Sequence, residues 1–420
     1  MSRGGTSSRR VVVTGLGVVS PLGRGKGENW KRLCAGESGI HRIERFPTDG
    51  LNTTIAGTVD FMDVEPMSAP DLSYALAEAA AAEAVEQSGI EGDLAGPLFL
   101  AAPPVEMEWS HKFEVAADGP DDASGYDRML AACRANPRER MHELIQFART
   151  ADLLQERFGN RGLPISLSTA CASGATAVQL GVEAIRRGDE DVALCIGTDG
   201  SVHIESLIRF SLLSALSTND EVPEKASKPF SKDRDGFVMA EGAGALVLES
   251  EEHARKRDAT ILAVVAGVGE KADFFHRTRS SPDGGPAIEA VRNALDDAGL
   301  GADGIDTINA HGTSTPENDK MEYLSLREVF GDAVSGIPIT SNKSMIGHTL
   351  TAAGAIEAVF SCLTLRTGIV PPTINYANPD PDIDLDVVSE AREVNPRTVL
   401  SNSFGFGGQN ACLVFAKADG

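Results

Sequence analysis

Residues 163–185, LPISLSTACASGATAVQLGVEAI, join a short apolar run to a helical pattern through a turn of small residues. The run 163–167 predicts a short buried strand. Cys171 lies in the turn, near the predicted helix N-terminus, where unpaired N–H groups and the helix dipole favour a thiolate over a thiol. A reactive cysteine and a buried structural cysteine both fit this position. The helix is predicted from the spacing of Ala175, Val178, Val182 and Ile185.

A second stretch with the same pattern covers residues 337–359, IPITSNKSMIGHTLTAAGAIEAV. Both stretches run from a proline through a strand and a small-residue turn into a helix, and the best alignment pairs Gly181 with Gly354. Two longer apolar strands occupy matching places earlier in each half, at residues 10–21 and 259–270. Two matches in the same order predict an internal duplication.

The strand and helix patterns predict an α/β chain with buried sheets, organised in two halves. A flexible N-terminus (1–9) precedes an N-terminal half (10–258) and a C-terminal half (259–416). Residues 101–140 are weakly patterned and rich in Pro, Asp and Ala, which predicts an irregular insertion. The acidic, Ala-rich segment 75–88 is interpreted as a solvated helix face without a functional role. The other helical patterns cover residues 141–158 and 287–298.

Composition excludes several classes of protein. The 420 residues are 42% hydrophobic and 24% charged, and no apolar run approaches the ~18 residues of a membrane span. The net charge of −23 disfavours nucleic acid and anionic membranes as partners. The N-terminus lacks the apolar core of a signal peptide, and the six cysteines show neither a CxxC pair nor metal-ligand spacing. We therefore expect a cytoplasmic protein with reduced thiols.

Three further segments place chemically useful residues at predicted strand ends, where α/β folds bind ligands. His311 ends an apolar strand, and Lys343 and His348 lie in the turn that mirrors the one holding Cys171. A pseudo-two-fold axis between the repeats would bring the two turns together. The third segment, residues 401–416, is a Gly/Phe turn that leads into a final strand.

Four motifs in this order make the chain resemble a β-ketoacyl-[acyl-carrier-protein] synthase of the type II, elongating kind. They are STACASGA (168–175), NAHGTSTP (309–316), NKSMIGHT (342–349) and NSFGFGG (402–408), supported by KPFSKDRDGFVMAEGAGALVLE (228–249). The resemblance covers residues 10–100 and 150–416. It implies a thiolase-like fold, in which two duplicated βαβαβ-type halves form a layered α-β-α-β-α core.

The resemblance also implies the catalytic residues. Cys171, His311 and His348 would form the catalytic triad, with Lys343 as the supporting cation. Cys171 would attack an acyl thioester, and backbone N–H groups of Cys171 and Phe406 would hold the oxyanion. Two neutral imidazoles donating Nε2–H would then stabilise the enolate that forms when a malonyl group loses CO₂.

Further residues are assigned to substrate binding and to support of the site by the same resemblance. Phe406 and Phe404 would form a gate beside the nucleophile. Thr313, Thr315 and Ser281 would bind the pantetheine arm.

Glu357 would balance the charge of Lys343. In some relatives a structural cation lies near the residues that match Asn309, Glu357, Ser401 and Asn402, and the sequence leaves the presence of a metal open.

The implied activity is decarboxylative Claisen condensation of an acyl group with malonyl-acyl-carrier protein, which gives 3-oxoacyl-carrier protein, CO₂ and free carrier protein during fatty-acid elongation. Substrates would arrive on phosphopantetheine, with no other cofactor. The partners would be an acyl carrier protein, either general or dedicated, and a second copy of the chain in a homodimer.

Other functions account for fewer of these sequence features. A thiolase resembles a two-cysteine design, whereas the second turn here carries His348. A non-catalytic chain-length partner would have lost its nucleophile, and Cys171 is present. A cysteine amidase would explain neither Lys343 nor the duplication.

Departures from the family pattern leave a specialised synthase open, for very long acyl chains or a polyketide-like product. Residues 101–140, which the resemblance places beside the acyl pocket and dimer interface, lack the usual Gly-rich pattern. Gln409 replaces a threonine, and Ser231 stands where an aspartate is common. Four arginines beside the insertion either cover a solvated helix or dock an acidic carrier protein. They are Arg134, Arg138, Arg140 and Arg149.

Overall fold

The structure, a computed structural model, describes residues 9–64, 67–105 and 107–418. Its strands are β1 (Val11–Ser20), β2 (Gly23–Arg24), β3 (His41–Arg42), β4 (Ile55–Ala56), β5 (Leu98–Ala101), β6 (Ile165–Leu167), β7 (Val192–Asp199), β8 (Gly242–Ser250), β9 (Ala263–Ala272), β10 (Thr307–Asn309), β11 (Pro338–Thr340), β12 (Ile369–Val370), β13 (Asp386–Val387), β14 (Arg392–Glu393), β15 (Thr398–Phe404) and β16 (Gln409–Ala416). Its α-helices are α1 (Lys26–Cys34), α2 (Ala69–Ser88), α3 (Trp109–Ala117), α4 (Gly125–Ala135), α5 (Glu139–Leu144), α6 (Arg149–Phe158), α7 (Ser173–Arg187), α8 (Ile204–Leu212), α9 (Glu251–Lys256), α10 (Gly285–Ala298), α11 (Pro316–Phe330), α12 (Lys343–Ile346) and α13 (Ala353–Thr367). Short 3₁₀ turns cover Pro223–Lys225, Ala302–Gly304, Gly331–Gly336 and Leu350–Ala352.

Twelve of the described strands form one sheet, whose two halves repeat the same strand order. The N-terminal half runs β1-β8-β7-β5-β6, and the C-terminal half runs β9-β16-β15-β10-β11, with β13 beyond β11. In each set of five strands, the first strand along the chain pairs with the last one. The second and third strands along the chain lie farthest from the junction between the two halves. β1 and β9 pair antiparallel and join the halves. The repeated order confirms the predicted duplication.

The halves of the sheet enclose a central pair of helices. α7 packs on β5 and β7 of the first half, and α13 packs on β8 of the first half and β15 of the second. α2 covers the outer face of the first half, and α10 covers the outer face of the second. Separate apolar clusters fill the centre and the two outer interfaces. The molecule therefore has the predicted order of layers, α-β-α-β-α.

The two central helices touch through their backbones at one glycine each. A Cβ on Gly174 would lie 2.4 Å from the backbone nitrogen of Ala355, and a Cβ on Gly354 would lie 2.5 Å from that of Ala175. The contact is reciprocal, so Gly174 is the structural counterpart of Gly354. The sequence alignment that paired Gly181 with Gly354 is therefore wrong. It matched similar residue types along the two helices and not the position at which the helices approach most closely.

The segment 75–88 is solvated on one face only. It belongs to α2, which buries Ala77, Ala80, Ala81 and Ala84 against the sheet. A Cβ on Gly15 or Gly17 of β1 would lie within 2.0 Å of a carbonyl oxygen of α2. The alanines and glycines are small because this helix and strand approach closely, and a small-residue face does not produce a strong apolar pattern.

Two other expectations about the first half are also corrected. Residues 101–140 contain α3, α4 and the start of α5, and residues 141–158 contain two helices that break between Leu144 and Arg149. The pattern is weak in α3 and α4 because each buries a single residue, Val115 and Ala132.

No helix in the described part of the chain is both long and apolar enough to cross a membrane.

The strand predicted as buried at 163–167 is an edge strand. β6 pairs with β5 on one side and ends the sheet on the other. In the single chain the exposed fraction is 89% for Leu163 and 45% for Ile165. These apolar side chains therefore form an uncovered edge.

We expect the replacement Gly174→Ala to destabilise the fold. The added Cβ forces the central helices apart, and overpacking of this kind costs about 1–3 kcal/mol of unfolding free energy. Gly27 in α1 is the matched control, because nothing lies within 4 Å of its Cβ position. Gly27→Ala should stabilise the protein by about 0.5–1 kcal/mol through helix propensity. Urea unfolding measures both changes, and equal stability of the two variants would contradict the contact.

Candidate active site

Cys171 lies two residues before α7, in the tight turn that follows β6. Ala170 has a φ of 49°, a left-handed conformation that is uncommon for a residue with a Cβ. Ser173 fixes the turn, since its Oγ accepts from the Thr169 N–H at 2.8 Å and donates to the Ala170 carbonyl at 2.5 Å. The turn therefore holds the thiol at a defined position beside the start of a helix.

The structure brings Cys171, His311 and His348 together. The Cys171 Sγ and one ring nitrogen of each histidine lie within 4.8 Å of one another, and all three residues are buried. The histidine rings meet edge to face, with centroids 5.3 Å apart. Phe237 packs on the ring of His348, and Phe404 packs on that of His311.

Hydrogen bonds fix which nitrogen of each histidine carries the proton. The Leu350 N–H donates to Nδ1 of His348 at 3.3 Å. The Lys343 ammonium lies 3.4 Å from Nδ1 of His311 and donates to the His311 carbonyl at 2.7 Å. Because both Nδ1 atoms accept, the proton of each neutral ring is on Nε2. Both rings are therefore hydrogen-bond donors at Nε2.

The charge states follow from burial. Burial lowers the pKa of His311 well below its usual value, and Lys343 and His348 lower it further. Burial and the charge of Lys343 also lower the pKa of His348. Both imidazoles are therefore neutral at pH 7, which fits a role as donors.

The protonation state of Cys171 differs from the thiolate that the sequence predicts. Burial raises the pKa of Cys171 to about 11, although the Phe406 N–H and the positive charge of Lys343 lower it. Loss of hydration outweighs the helix N-terminus, so the resting side chain is a thiol and not a thiolate.

Two buried carboxylates support the histidines. Glu357 forms an ion pair with Lys343, as expected, and burial raises the pKa of Glu357 to about 7 although Lys343 lowers it. Sequence reasoning missed Glu322, whose two oxygens accept the N–H groups of His311 and Gly312 at 2.8 Å each. Its only sequence signal is that it follows Asp319, another buried acid, by three residues on α11.

The residues that the resemblance linked to a cation fit one. Asn309 Oδ1, Glu357 Oε2 and Asn402 Oδ1 are buried oxygens without a hydrogen-bond partner. Hard cations take oxygen ligands of this kind, and burial without a partner is costly for each oxygen. Ser401 is buried in the adjacent strand β15.

A first cavity of about 280 Å³ leads to the catalytic group. Thr313 and Thr315 line it together with Cys171 and both histidines, as the pantetheine assignment requires. Ser281 does not line it, and its backbone N–H donates to the Asp273 carboxylate at 2.7 Å. Its neighbours Thr278, Arg279 and Ser280 form that part of the wall.

A second cavity of about 260 Å³ also reaches Cys171. Phe406, Phe210 and Leu350 border both cavities, so they separate the two at the nucleophile. Phe406 further contributes its N–H to the Cys171 sulfur. The walls of the second cavity combine apolar residues of the insertion (Pro103, Pro104, Val105) and Phe147 with polar residues (Asp199, Ser201, His203, Ser206).

The arginines beside the insertion are mostly neutralised by the chain itself. Three of them form ion pairs with carboxylates, which favours the interpretation as an ordinary solvated surface. The pairs are Arg138 with Glu114 and Asp118, Arg140 with Asp71, and Arg149 with Glu143.

Comparison with known proteins agrees with this geometry. Residues 8–254 match the family described as "Beta-ketoacyl synthase, N-terminal domain", and residues 262–377 match its C-terminal domain. Curated relatives include the 3-oxoacyl-[acyl-carrier-protein] synthase 2 of Coxiella burnetii, 39% identical over 97% of this chain and 99% of the relative. The enzyme of the same name from Rhizobium meliloti is 40% identical over 98% of this chain and 100% of the relative.

A solved structure with the same fold is a type II polyketide ketosynthase in complex with its acyl-carrier protein. It has a TM-score of 0.86 and 34% sequence identity, and the match covers 98% of this chain and 100% of that one. The family matches extend over most of the chain and contain Cys171, His311 and His348. The chain belongs to the β-ketoacyl synthase family.

Proposed function

We propose that the protein elongates an acyl chain by decarboxylative condensation with malonyl-acyl-carrier protein, and so makes 3-oxoacyl-carrier protein for fatty-acid synthesis. The observation that carries this proposal is a buried thiol beside two neutral imidazoles, both of which donate at Nε2. A hydrolase or amidase needs an imidazole that accepts a proton, whereas here each Nδ1 is occupied. The names of the curated relatives support the same reaction.

The first step is acyl transfer to Cys171. Its sulfur attacks the thioester carbonyl, a new C–S bond forms, and the bond to the pantetheine sulfur breaks. The thiol proton ends on the departing pantetheine. Backbone N–H groups of Cys171 and Phe406 stabilise the oxyanion, as the approach of the Phe406 N–H to the sulfur supports.

The second step is decarboxylation of the malonyl group. The bond to its carboxylate breaks, CO₂ leaves, and the electron pair forms an enolate on the thioester. Nε2–H groups of His311 and His348 donate to the enolate oxygen. Neutral donors suit this step because they stabilise developing charge without protonating the carbon that must react.

The third step joins the two groups. The enolate carbon attacks the acyl carbonyl, a C–C bond forms, and the bond to Cys171 breaks. The thiolate released takes a proton from water, which restores the high-pKa thiol. The electron pair of the new bond comes from the bond to CO₂, so the proposed reaction requires no redox cofactor.

Lys343 and a buried cation would support these steps without touching substrate. Lys343 fixes the tautomer of His311 through Nδ1. A cation held by Asn309, Glu357 and Asn402 would satisfy their unpartnered oxygens and supply local positive charge.

The two cavities accommodate the two parts of the substrate. We place the pantetheine arm in the first, beside Thr313 and Thr315, and the acyl chain in the second, beyond Phe406.

We also place the protein in the cytoplasm, because its six cysteines are all free thiols and a reducing compartment keeps them so.

Alkylation of Cys171 should depend steeply on pH. Since only the thiolate reacts and the pKa is about 11, the rate with iodoacetamide should rise about tenfold per pH unit between roughly pH 7 and 9. Mass spectrometry of the Cys171 peptide measures the rate, in a Cys133→Ser background that removes an exposed thiol. A plateau below pH 8 would instead indicate the helix-stabilised thiolate.

The two half-reactions should separate in the histidine variants. His311→Ala or His348→Ala should lower CO₂ release from malonyl-carrier protein about 10²–10³-fold, the usual cost of losing one oxyanion donor. Acylation of Cys171 by acyl-carrier protein should persist, because backbone groups hold that oxyanion.

Labelled CO₂ and the acyl mass on Cys171 are the two readouts, and the acyl masses also report the preferred chain. The exposed His142→Ala is the control for both. Decarboxylation at the parent rate in both active-site variants would refute the enolate role, and an acyl-enzyme formed by Cys171→Ala would refute the nucleophile.

We further propose that the protein is a homodimer that pairs along β6. The edge of the sheet offers unpaired backbone groups, exposed Leu163 and Ile165, and a buried Ser166 hydroxyl without a partner. A two-fold axis beside β6 would place the same strand of a second copy against it and would cover all of these groups.

Ile165→Lys should therefore produce monomers, because it places a charge in the covered edge. Leu324→Lys is the matched control, with 41% exposure against 45% for Ile165, on α11. Light scattering at micromolar concentration should give twice the chain mass for the parent and the control, and the chain mass for Ile165→Lys. A monomeric parent with full activity would end the proposal.

A further inference from the structure

The mouth of the first cavity carries an exposed aromatic pair. The segment 271–280 contains the end of β9 and the loop after it, and its residues Asp273, His276 and Thr278 line the cavity that leads to Cys171. Between them, Phe274 is fully exposed and Phe275 is 53% exposed. Large apolar side chains presented to solvent beside a substrate channel are typical of a protein-binding surface.

The backbone that carries these phenylalanines is held in place by the loop 405–408, which contains Phe406. The Asp273 N–H donates to the Gly408 carbonyl at 2.6 Å, and the Gly407 N–H donates to the Arg277 carbonyl at 2.7 Å. The Asp273 carboxylate also accepts the Phe275 N–H at 2.9 Å. The segment therefore has a defined backbone, and its exposed side chains need little ordering when a partner binds.

The same segment carries positive charge that the chain does not neutralise. Arg277 is exposed, and within the described ranges no carboxylate forms an ion pair with its side chain. Arg138 and Arg140 beside the insertion, by contrast, are paired. In a chain of net charge −23, a free arginine next to exposed aromatic rings is suited to an acidic partner with an apolar contact.

We propose that Phe274, Phe275 and Arg277 form the surface on which the acyl carrier protein docks. The inference rests on the proposed function, which requires a carrier to deliver its pantetheine arm through this mouth. The phenylalanines would be buried under the carrier, and Arg277 would attract its acidic side chains. Docking is thus assigned to this segment and not to the arginines of the insertion.

The test compares carrier-borne substrates with free pantetheine substrates. Phe274 and Arg277 do not line the cavity, so Phe274→Ser and Arg277→Glu should leave turnover of acyl- and malonyl-pantetheine unchanged. With carrier-borne substrates each should raise KM about tenfold, the usual effect of losing an interface anchor. The Arg277→Glu effect should shrink between about 0.05 M and 0.5 M salt, because screening weakens it, whereas the Phe274→Ser effect should persist.

Matched controls come from the insertion. Phe113 is 70% exposed on α3, and Arg138 is paired, so Phe113→Ser and Arg138→Glu should leave KM for the carrier protein unchanged. A larger effect in the controls than in the test pair would overturn the assignment, as would a change of oligomeric mass in Phe274→Ser, which would identify a second copy as the occupant. Loss of turnover by the parent with every substrate would refute the proposed function, whereas unchanged KM in both test variants would refute the docking surface alone.

Discussion

The active site depends on a backbone contact between two helices that are related by the internal duplication. Gly174 of α7 and Gly354 of α13 approach so closely that neither position has room for a Cβ. The contact brings the N-terminal ends of both helices to one point at the centre of the molecule. Cys171 lies two residues before one of these ends, and His348 lies before the 3₁₀ turn that leads into the other, so the distance between thiol and imidazole depends on how closely the two helices pack.

The ion pair between Lys343 and Glu357 then influences the protonation states of the catalytic side chains. Lys343 and Glu357 are both buried, and each would be costly to bury without the other. The ammonium also donates to His311, lowers the pKa of both histidines and opposes the rise in the Cys171 pKa. Burial, helped by this ammonium at the histidines, thus keeps two neutral donors beside a thiol, the combination that enolate stabilisation requires and proton abstraction does not.

Local sequence was sufficient to predict the features that are themselves local. The turn at Cys171, the strand end at His311 and the internal duplication all follow from short motifs and their spacing. Burial could not be predicted in the same way: α2 is buried because glycines of β1 allow close approach, and Ile165 is exposed because β6 ends the sheet. Glu322 was missed, and Ser281 was assigned to a cavity that it does not line, because both depend on segments that meet only in the folded chain.

The loop 405–408 contacts the Cys171 sulfur, borders the cavities and packs on the segment 271–280. Phe406 borders both cavities with its ring and holds the Cys171 sulfur with its N–H. Gly407 and Gly408 have φ values of 88° and 87°, which only glycine adopts readily, and no Cβ would fit at Gly408 beside Asp273. The loop must therefore follow the 271–280 segment closely. The backbone of this one loop therefore contacts the nucleophile on one side and the 271–280 segment on the other, which fixes the position of the oxyanion donor relative to the mouth of the first cavity.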